Sequence, residues 1–523
     1  MGVTNRWTGR TACALQAALR MSQEGFAEHL GIAPRTVTFW HQKPDTRPKS
    51  DVQQLLDTAL DRASPQVKAR FAEMTTPEPL DLPEGAAADA EVRLNSDPTI
   101  VAALDWLDKH ARWEPGRARR EVAARLVRLD VRDLHDRGVR RGRVNQRDTA
   151  RALADYYGHA TNGHGRYSAR FGTGTEAATT VLTHPDWLDL DCPLLPRHDK
   201  LTLSGVTPAD DLAMDEETAG RAAQRLAEAL ALGNRMVNMP LFRLLDVDVR
   251  KHAITGTVGV TSFVGYAVTM DLLEGELIDA LTTGQPTSPG ALPLRDAYLP
   301  SLSAVLDVSD RMCAGGTLAL TAIARPADPF RGEADYLLLV QERSGHVINA
   351  ARRLAVIPKG FHQPLTDFRV DAQVGATLRR EMEEELFGRE DIDNTVGEQR
   401  HADPMHPSRL SEPMRWLMGQ PGRLRLECTG FGLNLVSGNF EFASLIVIED
   451  EEFWTRYGGQ VQANWEASRL RQYSSLDTDL LEELVNDAAW SNEGLFALLQ
   501  GLRRLREIGG SRVDLPPIEW EIT

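Results

Sequence analysis

A proline-rich segment at residues 75–90, TTPEPLDLPEGAAADA, most constrains how this chain folds. It contains three prolines, several acidic residues and no helical or strand periodicity, which is typical of an exposed linker. We therefore expect residues 75–96 to form a linker and residues 1–74 to bury a core of their own. The length of 523 residues agrees with several domains, because it greatly exceeds the usual size of one.

The net charge of −16 is distributed unevenly along the chain. Residues 1–74 carry ten Lys/Arg against seven Asp/Glu, and residues 101–170 carry sixteen against nine. Everything after residue 170 is therefore strongly acidic. Because DNA repels acidic surfaces, contact with nucleic acid is expected only at the front of the chain.

Neither membrane insertion nor secretion is expected from this sequence. No uninterrupted apolar stretch approaches the roughly 18 to 20 residues that span a bilayer, and the opening residues lack the apolar core of a signal peptide. The four cysteines show no paired spacing, which argues against a disulfide framework or a zinc site. These features predict a cytoplasmic protein without a membrane partner.

Hydrophobic periodicity divides the remainder of the chain into three regions. Residues 97–314 begin with amphipathic, arginine-rich helices and continue into mixed helices and short β-branched strands, so we expect a helical and α+β region that serves signal transfer or dimerisation. Residues 315–508 mix strands with helices before and after them, which indicates one α/β domain. Residues 509–523 form a C-terminal tail. The predicted fold class is multidomain α+β with an all-α N-terminal domain.

Two short helices joined by a tight turn are predicted within residues 22–42. Ser22 caps the first helix, Gly31 provides a turn where positive φ costs little, and Pro34 opens the second helix. This pattern resembles the Xre-class, lambda-repressor-like helix-turn-helix, in which the Ser-Gln opening and the Leu-Gly turn recur. His41 departs from the family, which usually has an acidic residue after the tryptophan.

The resemblance implies a DNA-binding domain. Arg35, Thr36 and Thr38 would face the major groove, and Gln23 would meet the DNA backbone or a base. The small positive balance of residues 1–74 predicts weak binding by one copy, so we expect a homodimer on two half-sites. The alternative is a helical bundle that contacts protein.

The segment LRREMEEELFG places Glu381, Glu384 and Glu385 at positions i, i+3 and i+4 of a helix. Like charges on one helical face repel, and a cation relieves that repulsion. Oxygen ligands suit Mg²⁺ or Mn²⁺, which would bridge to a diphosphate. The alternative is a solvated, glutamate-rich surface helix.

The run from Arg380 to Glu385 resembles the core of the Nudix box, and the strand and Pro-x-Gly turn before it are similar to the family's entry into its catalytic helix. The resemblance covers residues 315–508 and implies a Nudix-like α/β/α sandwich. By this resemblance Glu384 and Glu385 would bind metal. Glu381 would bind metal or help to activate water, and Arg380 would orient the glutamates.

The sequence departs from the Nudix pattern at three positions. Thr366 stands where the family has a glycine, and Ala372 stands where it has a glutamate. The trailing glycine, Gly388, comes one residue late. The interval 389–422 is an unusually long insertion, rich in His and Pro, for which a lid or an interface is expected.

Together these resemblances predict a bacterial transcription regulator whose Nudix-like domain senses a nucleotide diphosphate-type ligand. The alternative is an active Mg²⁺-dependent pyrophosphohydrolase of a nucleoside diphosphate derivative, with an accessory DNA-binding module. A nucleotide-sensing defence or stress protein would share the same pocket. The arginines of residues 117–143 would either contact DNA phosphates or pair with the acidic C-terminal domain.

Overall fold

The structure, a computed structural model, describes residues 7–523 apart from 44–45, 47, 65–66, 69, 72–89, 91, 96–98, 160–161, 173, 209–213, 235, 344–351, 390–403 and 462–466. The chain divides into two compact units, Met1–Ala86 and Ala87–Thr523. N-terminal helices and a large mixed sheet confirm the predicted mixed α/β, multidomain class. Most of the predicted linker at 75–96 lies outside the described residues.

The first unit is built from helices around a small core of its own. Trp7, Phe26 and Trp40 are fully buried there, and smaller apolar residues at helical spacing fill the gaps between them. Its described helices are α1 (Gly9–Leu19), α2 (Gln23–Leu30), α3 (Pro34–Gln42) and α4 (Ser50–Arg62).

The strands of the second unit form one large sheet and one small sheet. In chain order the described strands are β1 (Gly165–Phe171), β2 (Thr175–Thr183), β3 (Cys192–Pro193), β4 (Asp199–Pro208), β5 (Pro240–Arg250), β6 (Ala253–Ser262), β7 (Gly315–Arg325), β8 (Asp335–Arg343), β9 (Leu354–Val356), β10 (Lys359–Phe361), β11 (Leu424–Asn434), β12 (Phe440–Ile448), β13 (Ala467–Ser474) and β14 (Ile518–Ile522). The large sheet follows the order β13-β8-β7-β12-β11-β2-β1-β14. In addition, β9 pairs with β8, β10 pairs with β7 and β3 pairs with β11. The small sheet has the order β4-β6-β5.

Helices of the second unit cover both faces of the large sheet. Its described α-helices are α5 (Ile100–His110), α6 (Arg117–Arg128), α7 (Val131–Arg141), α8 (Gln146–Tyr157), α9 (Glu216–Leu232), α10 (Phe263–Ala267), α11 (Leu272–Thr283), α12 (Pro293–Tyr298), α13 (Leu302–Leu306), α14 (Phe368–Asp371), α15 (Val374–Glu381), α16 (Glu412–Met418), α17 (Glu452–Tyr457), α18 (Thr478–Asn486) and α19 (Asn492–Ile508). Within the described part of the chain, no helix has both the length and the apolarity that crossing a membrane requires.

The centre of the large sheet is the parallel pair β7 and β12, in which every residue is buried. Successive side chains of a strand point to opposite faces, and parallel strands are usually covered on both. Leu318 and Leu320 accordingly belong to the apolar core that includes α19, whereas Ala319 and Ile323 belong to the core that includes α15. The two helices therefore lie on opposite faces of one sheet.

The large sheet continues across the boundaries that were predicted at residues 314 and 509. β2 pairs with β11, so strands from the predicted central region join those of the predicted Nudix-like domain. β1 pairs antiparallel with β14, which places the predicted tail at the sheet edge with Ala169 opposite Trp520. Strands β1 to β3, strands β7 to β13 and strand β14 thus contribute to a single sheet.

Phe26→Ala tests whether the first unit has a separate core. Deleting this fully buried ring should lower the free energy of unfolding of the first unit by about 3–5 kcal/mol, while the second unit melts unchanged. Differential scanning calorimetry on the full chain measures both transitions. Phe39→Ala is the matched control, because Phe39 lies in the same unit and is 41% exposed. Equal shifts for the two variants would contradict this core assignment.

Candidate functional sites

Helix α3 presents polar side chains on its outer face, as the sequence predicted. Arg35 and Thr38 are exposed, and Thr36 is half-buried. The Thr38 hydroxyl donates a hydrogen bond of 3.0 Å to the side-chain oxygen of Gln23, at the start of α2. All four predicted DNA-contacting residues therefore lie on α2 and α3, and one hydrogen bond joins the two helices.

Local sequence signals fix the angle between α2 and α3. The Ser22 side chain caps α2 by accepting from the backbone N–H of Gly25 at 3.0 Å. Gly31 ends that helix with φ of 69°, a left-handed conformation that glycine adopts at little cost. Val37 and Trp40 then bury the inner side of α3, which turns Arg35 and Thr38 outward.

His41 has a structural role in the first unit. Its Nε2 atom lies 2.8 Å from the side-chain oxygen of Gln16 on α1. This contact ties the end of α3 to α1 at the position where the Xre pattern has an acidic residue. His41, which departs from the Xre pattern, therefore makes a side-chain contact within the first unit.

The glutamate-rich helix changes its winding where the glutamates lie. Helix α15 continues directly into a π-helical turn at Met382–Leu386. A π turn is wider than an α turn, because its hydrogen bonds run from residue i to i+5. Gly388, which lies beyond the turn, adopts φ of 61°.

All the glutamates of this segment are buried. Glu381 and Glu384 are each 6% exposed, and Glu385 is 1% exposed. Arg380, on the same helix, is also buried and donates to the Glu381 carboxylate at 2.9 Å, and its Nε lies 4.0 Å from Glu384. The alternative of a solvated surface helix is therefore wrong.

Arg380 also anchors the helix to the end of β10 and to the chain that follows it. Its guanidinium donates to the backbone carbonyl oxygens of Gln363 at 3.1 Å and Phe361 at 3.3 Å. The arginine thus holds the glutamate helix beside the sheet.

Glu385 is held by groups from two strands of the sheet. Its Oε2 atom accepts from the backbone N–H of Lys359 at 2.8 Å and from the Gln341 side-chain amide at 3.4 Å. The guanidinium of Arg343 lies 3.9 Å from its other oxygen. A buried carboxylate requires such partners, since burying an ion without compensation is costly.

The three predicted ligands do not fit Mg²⁺ or Mn²⁺ in this arrangement. A divalent cation needs carboxylate oxygens directed at one centre, whereas Arg380 and Arg343 already place positive charge against Glu381, Glu384 and Glu385. Across the described ranges, no group of three or more His, Cys, Asp or Glu side chains is arranged to hold a metal ion.

The packing of this site requires a glycine at residue 360. Gly360 lies earlier in the chain than Thr366, which is the position where the family pattern has a glycine. A Cβ at residue 360 would overlap the carboxyl group of Glu381. Thr366, at the expected glycine position, is exposed and donates its N–H to Asp371. Ala372, at the expected glutamate position, is buried, and its carbonyl oxygen lies 3.0 Å from Nε2 of His362.

Glu383 belongs to the site, although sequence reasoning did not single it out. Its carboxylate accepts from the backbone N–H and the hydroxyl of Ser411, the N-cap of α16, and lies 3.4 Å from Arg389. Negative charge is favourable at the N-terminus of a helix. The described end of the predicted insertion 389–422 therefore docks against the glutamate helix.

A second buried polar cluster lies on the opposite side of β10. The Lys359 ammonium contacts Glu493 at 2.5 Å, and the Asn434 amide donates to the other oxygen of Glu493 at 3.1 Å. Burial raises the pKa of Glu493, but Lys359, together with hydrogen bonds from the Glu493 N–H and from Ser491, brings this pKa below its usual value. Burial, reinforced by Glu493, raises the pKa of Glu441 well above the ordinary range. Lys359 thus contacts Glu385 through its N–H and Glu493 through its side chain.

Comparison with known proteins assigns no family to this chain. Neither a protein-family model nor a curated protein matches the sequence.

The stability of the glutamate site should depend on pH through His362. This imidazole is buried between Thr377 and Ala372, and burial lowers its pKa to about 3, against about 6.5 for free histidine. The unfolded chain therefore binds a proton that the folded chain excludes, so its contribution to stability falls as pH drops from about 6.5 towards 3.

Urea unfolding at pH 7, 6 and 5 measures this contribution. Between pH 6 and 5 the native chain should lose about 1 kcal/mol more free energy of unfolding than His362→Gln. His135→Gln, at an exposed position on α7, is the control and should follow the native chain. Identical pH slopes for all three proteins would show that His362 is not held neutral.

Proposed function

We propose that this protein is a DNA-binding transcription regulator with an Xre-like helix-turn-helix at its N-terminus. Its second unit contains a Nudix-like domain that senses a nucleotide-type ligand without hydrolysing it. The observation that carries the DNA-binding part is the outer face of α3, where Arg35 and Thr38 are exposed and Thr38 is bonded to Gln23.

The chemistry of that face suits recognition of a duplex. Arginine makes bidentate hydrogen bonds to guanine or binds phosphate, and threonine contacts base edges. The hydrogen bond from Thr38 to Gln23 sets the position of both side chains before DNA binds. Such pre-organisation supports base contact by α3 and phosphate contact by the start of α2.

A homodimer is part of the proposal. Residues 1–74 have only three more basic than acidic side chains, so one copy gains little from phosphate neutralisation. Two copies on two half-sites double the number of phosphate and base contacts. The expected operator is therefore an inverted repeat with half-sites about one helical turn apart.

The arrangement of the glutamates favours a sensor over a pyrophosphohydrolase. A metal-dependent hydrolase needs carboxylates available to a cation that also contacts the diphosphate. Glu381 and Glu384 instead lie against Arg380. Glu385 lies against the backbone N–H of Lys359 and the guanidinium of Arg343. These contacts support a domain that keeps the helix for structure and binding.

Arg35→Ala tests the DNA-binding proposal directly. In vitro selection with the full-length protein should first enrich one operator sequence. Arg35→Ala should then weaken binding to that operator by about 1–3 kcal/mol, because a contact to a base or phosphate is lost. Fluorescence anisotropy at several salt concentrations measures the loss.

Arg62→Ala is the matched control for this experiment. Arg62 is exposed at the end of α4. Its replacement removes the same positive charge from the same unit, but at a position outside α3. We expect less than a twofold change in affinity. Selection that enriches no sequence, or equal losses for the two variants, would refute the DNA-binding proposal.

A further inference from the structure

The arginine-rich segment 117–143 contains two kinds of side chain. Several arginines form ion pairs inside the second unit: Arg117 with Glu216, Arg137 with Glu228 and Arg141 with Asp279. These acids lie on α9 and α11, within the predicted central region and not in the predicted C-terminal domain. Other arginines, including Arg140 and Arg143, are exposed.

Arg140 and Arg143 line a groove between α7, α8 and α11. The groove has a volume of about 520 Å³, within the range of pockets that bind small molecules. Its charged and hydroxyl-bearing lining residues are Arg140, Arg143, Arg151, Asp148, Asp155, Thr282 and Thr287. Val144, Ala152 and Leu281 supply apolar surface.

Ion pairs and hydrogen bonds fix the walls of the groove. Arg141 makes two hydrogen bonds of 2.6 Å to the Asp279 carboxylate, which joins α7 to α11. The Thr282 hydroxyl donates to the Asp279 carbonyl oxygen at 2.9 Å. Gln146, at the start of α8, donates to the Asn492 side chain at 2.9 Å. Arg141 therefore joins α7 to α11, and Gln146 joins α8 to α19, before a ligand binds.

The groove carries positive charge that the protein does not use. Among the described residues, the side chains of Arg140 and Arg143 take part in no ion pair or hydrogen bond. Arg151 lies 3.9 Å from Asp148 and remains largely exposed. Guanidinium groups bind phosphate with paired hydrogen bonds, so three of them around one groove favour a phosphorylated ligand.

The acidic lining residues narrow the class of ligand. Asp155 is exposed and would repel a simple polyanion, but a carboxylate accepts hydrogen bonds from hydroxyl groups. A ligand with phosphate at one end and hydroxyls at the other satisfies both the arginines and Asp155. Duplex DNA presents phosphates without free sugar hydroxyls and would leave Asp155 without such a donor.

We propose that the groove binds a phosphorylated sugar, either free or as part of a nucleotide. The phosphate lies against Arg140, Arg143 and Arg151, and the sugar hydroxyls face Asp155. This site is separate from the glutamate helix and depends neither on DNA binding nor on the Nudix resemblance.

Isothermal titration of the full-length protein with ADP, ribose 5-phosphate and adenosine tests the proposal. Both phosphorylated compounds should bind, and adenosine should not. At least tenfold tighter binding of ADP identifies a nucleotide as the ligand class, whereas similar affinities identify a free sugar phosphate. Absence of binding by both phosphorylated compounds would overturn the proposal.

Two matched double variants locate the binding site. Arg140→Ala/Arg143→Ala should weaken binding at least tenfold, and Arg151→Ala provides an independent second test. Arg128→Ala/Arg132→Ala removes the same charge from exposed positions that do not line the groove, and should change affinity less than twofold. Equal weakening by both double variants would mean that only general charge attracts the ligand, which overturns the site.

One further outcome distinguishes binding in the groove from contact with DNA. If Arg140→Ala/Arg143→Ala weakens only the binding of duplex DNA, the groove contacts DNA phosphates and the proposal is wrong.

Discussion

The burial of four glutamates on one helical segment is the constraint on which the second unit depends. A buried carboxylate is tolerated only when charge or hydrogen bonds compensate it. Arg380 compensates Glu381 from the same helix, the Lys359 amide and Arg343 compensate Glu385 from the sheet, and Ser411 compensates Glu383 from the insertion. The helix can therefore occupy only one position relative to β8, β10 and α16.

Lys359 connects this helix to the opposite face of the sheet. Its backbone N–H bonds to Glu385, while its ammonium pairs with Glu493 at the start of α19. A displacement of β10 would change both contacts at once. Lys359 therefore links the polar cluster around Glu493 to the glutamate helix, although the two pack in different hydrophobic cores.

Local signals in the sequence were sufficient for the first unit. Ser22, Gly31 and Pro34 define the ends of α2 and α3, because caps, turns and N-terminal prolines act within a few residues. The spacing of Glu381, Glu384 and Glu385 likewise placed them on one helical segment, and all three are buried there.

Features that depend on distant residues were not predictable from the sequence. The pairing of β1 with β14 joins segments about 350 residues apart, and no local periodicity specifies it. The contact of Glu383 with Ser411 likewise joins residues that are 28 positions apart. The spacing of the glutamates favoured a metal because it gave no sign of Arg343, which reaches Glu385 from β8.

Titration of the full-length protein with Mn²⁺, followed by electron paramagnetic resonance, tests most directly whether arginines replace a metal at the glutamate helix. If Arg380 and Arg343 neutralise the site, the native protein and Glu384→Gln should bind the same number of Mn²⁺ ions with the same affinity. A stoichiometric Mn²⁺ ion that is bound by the native protein and lost in Glu384→Gln would contradict this assignment and favour the metal-dependent hydrolase.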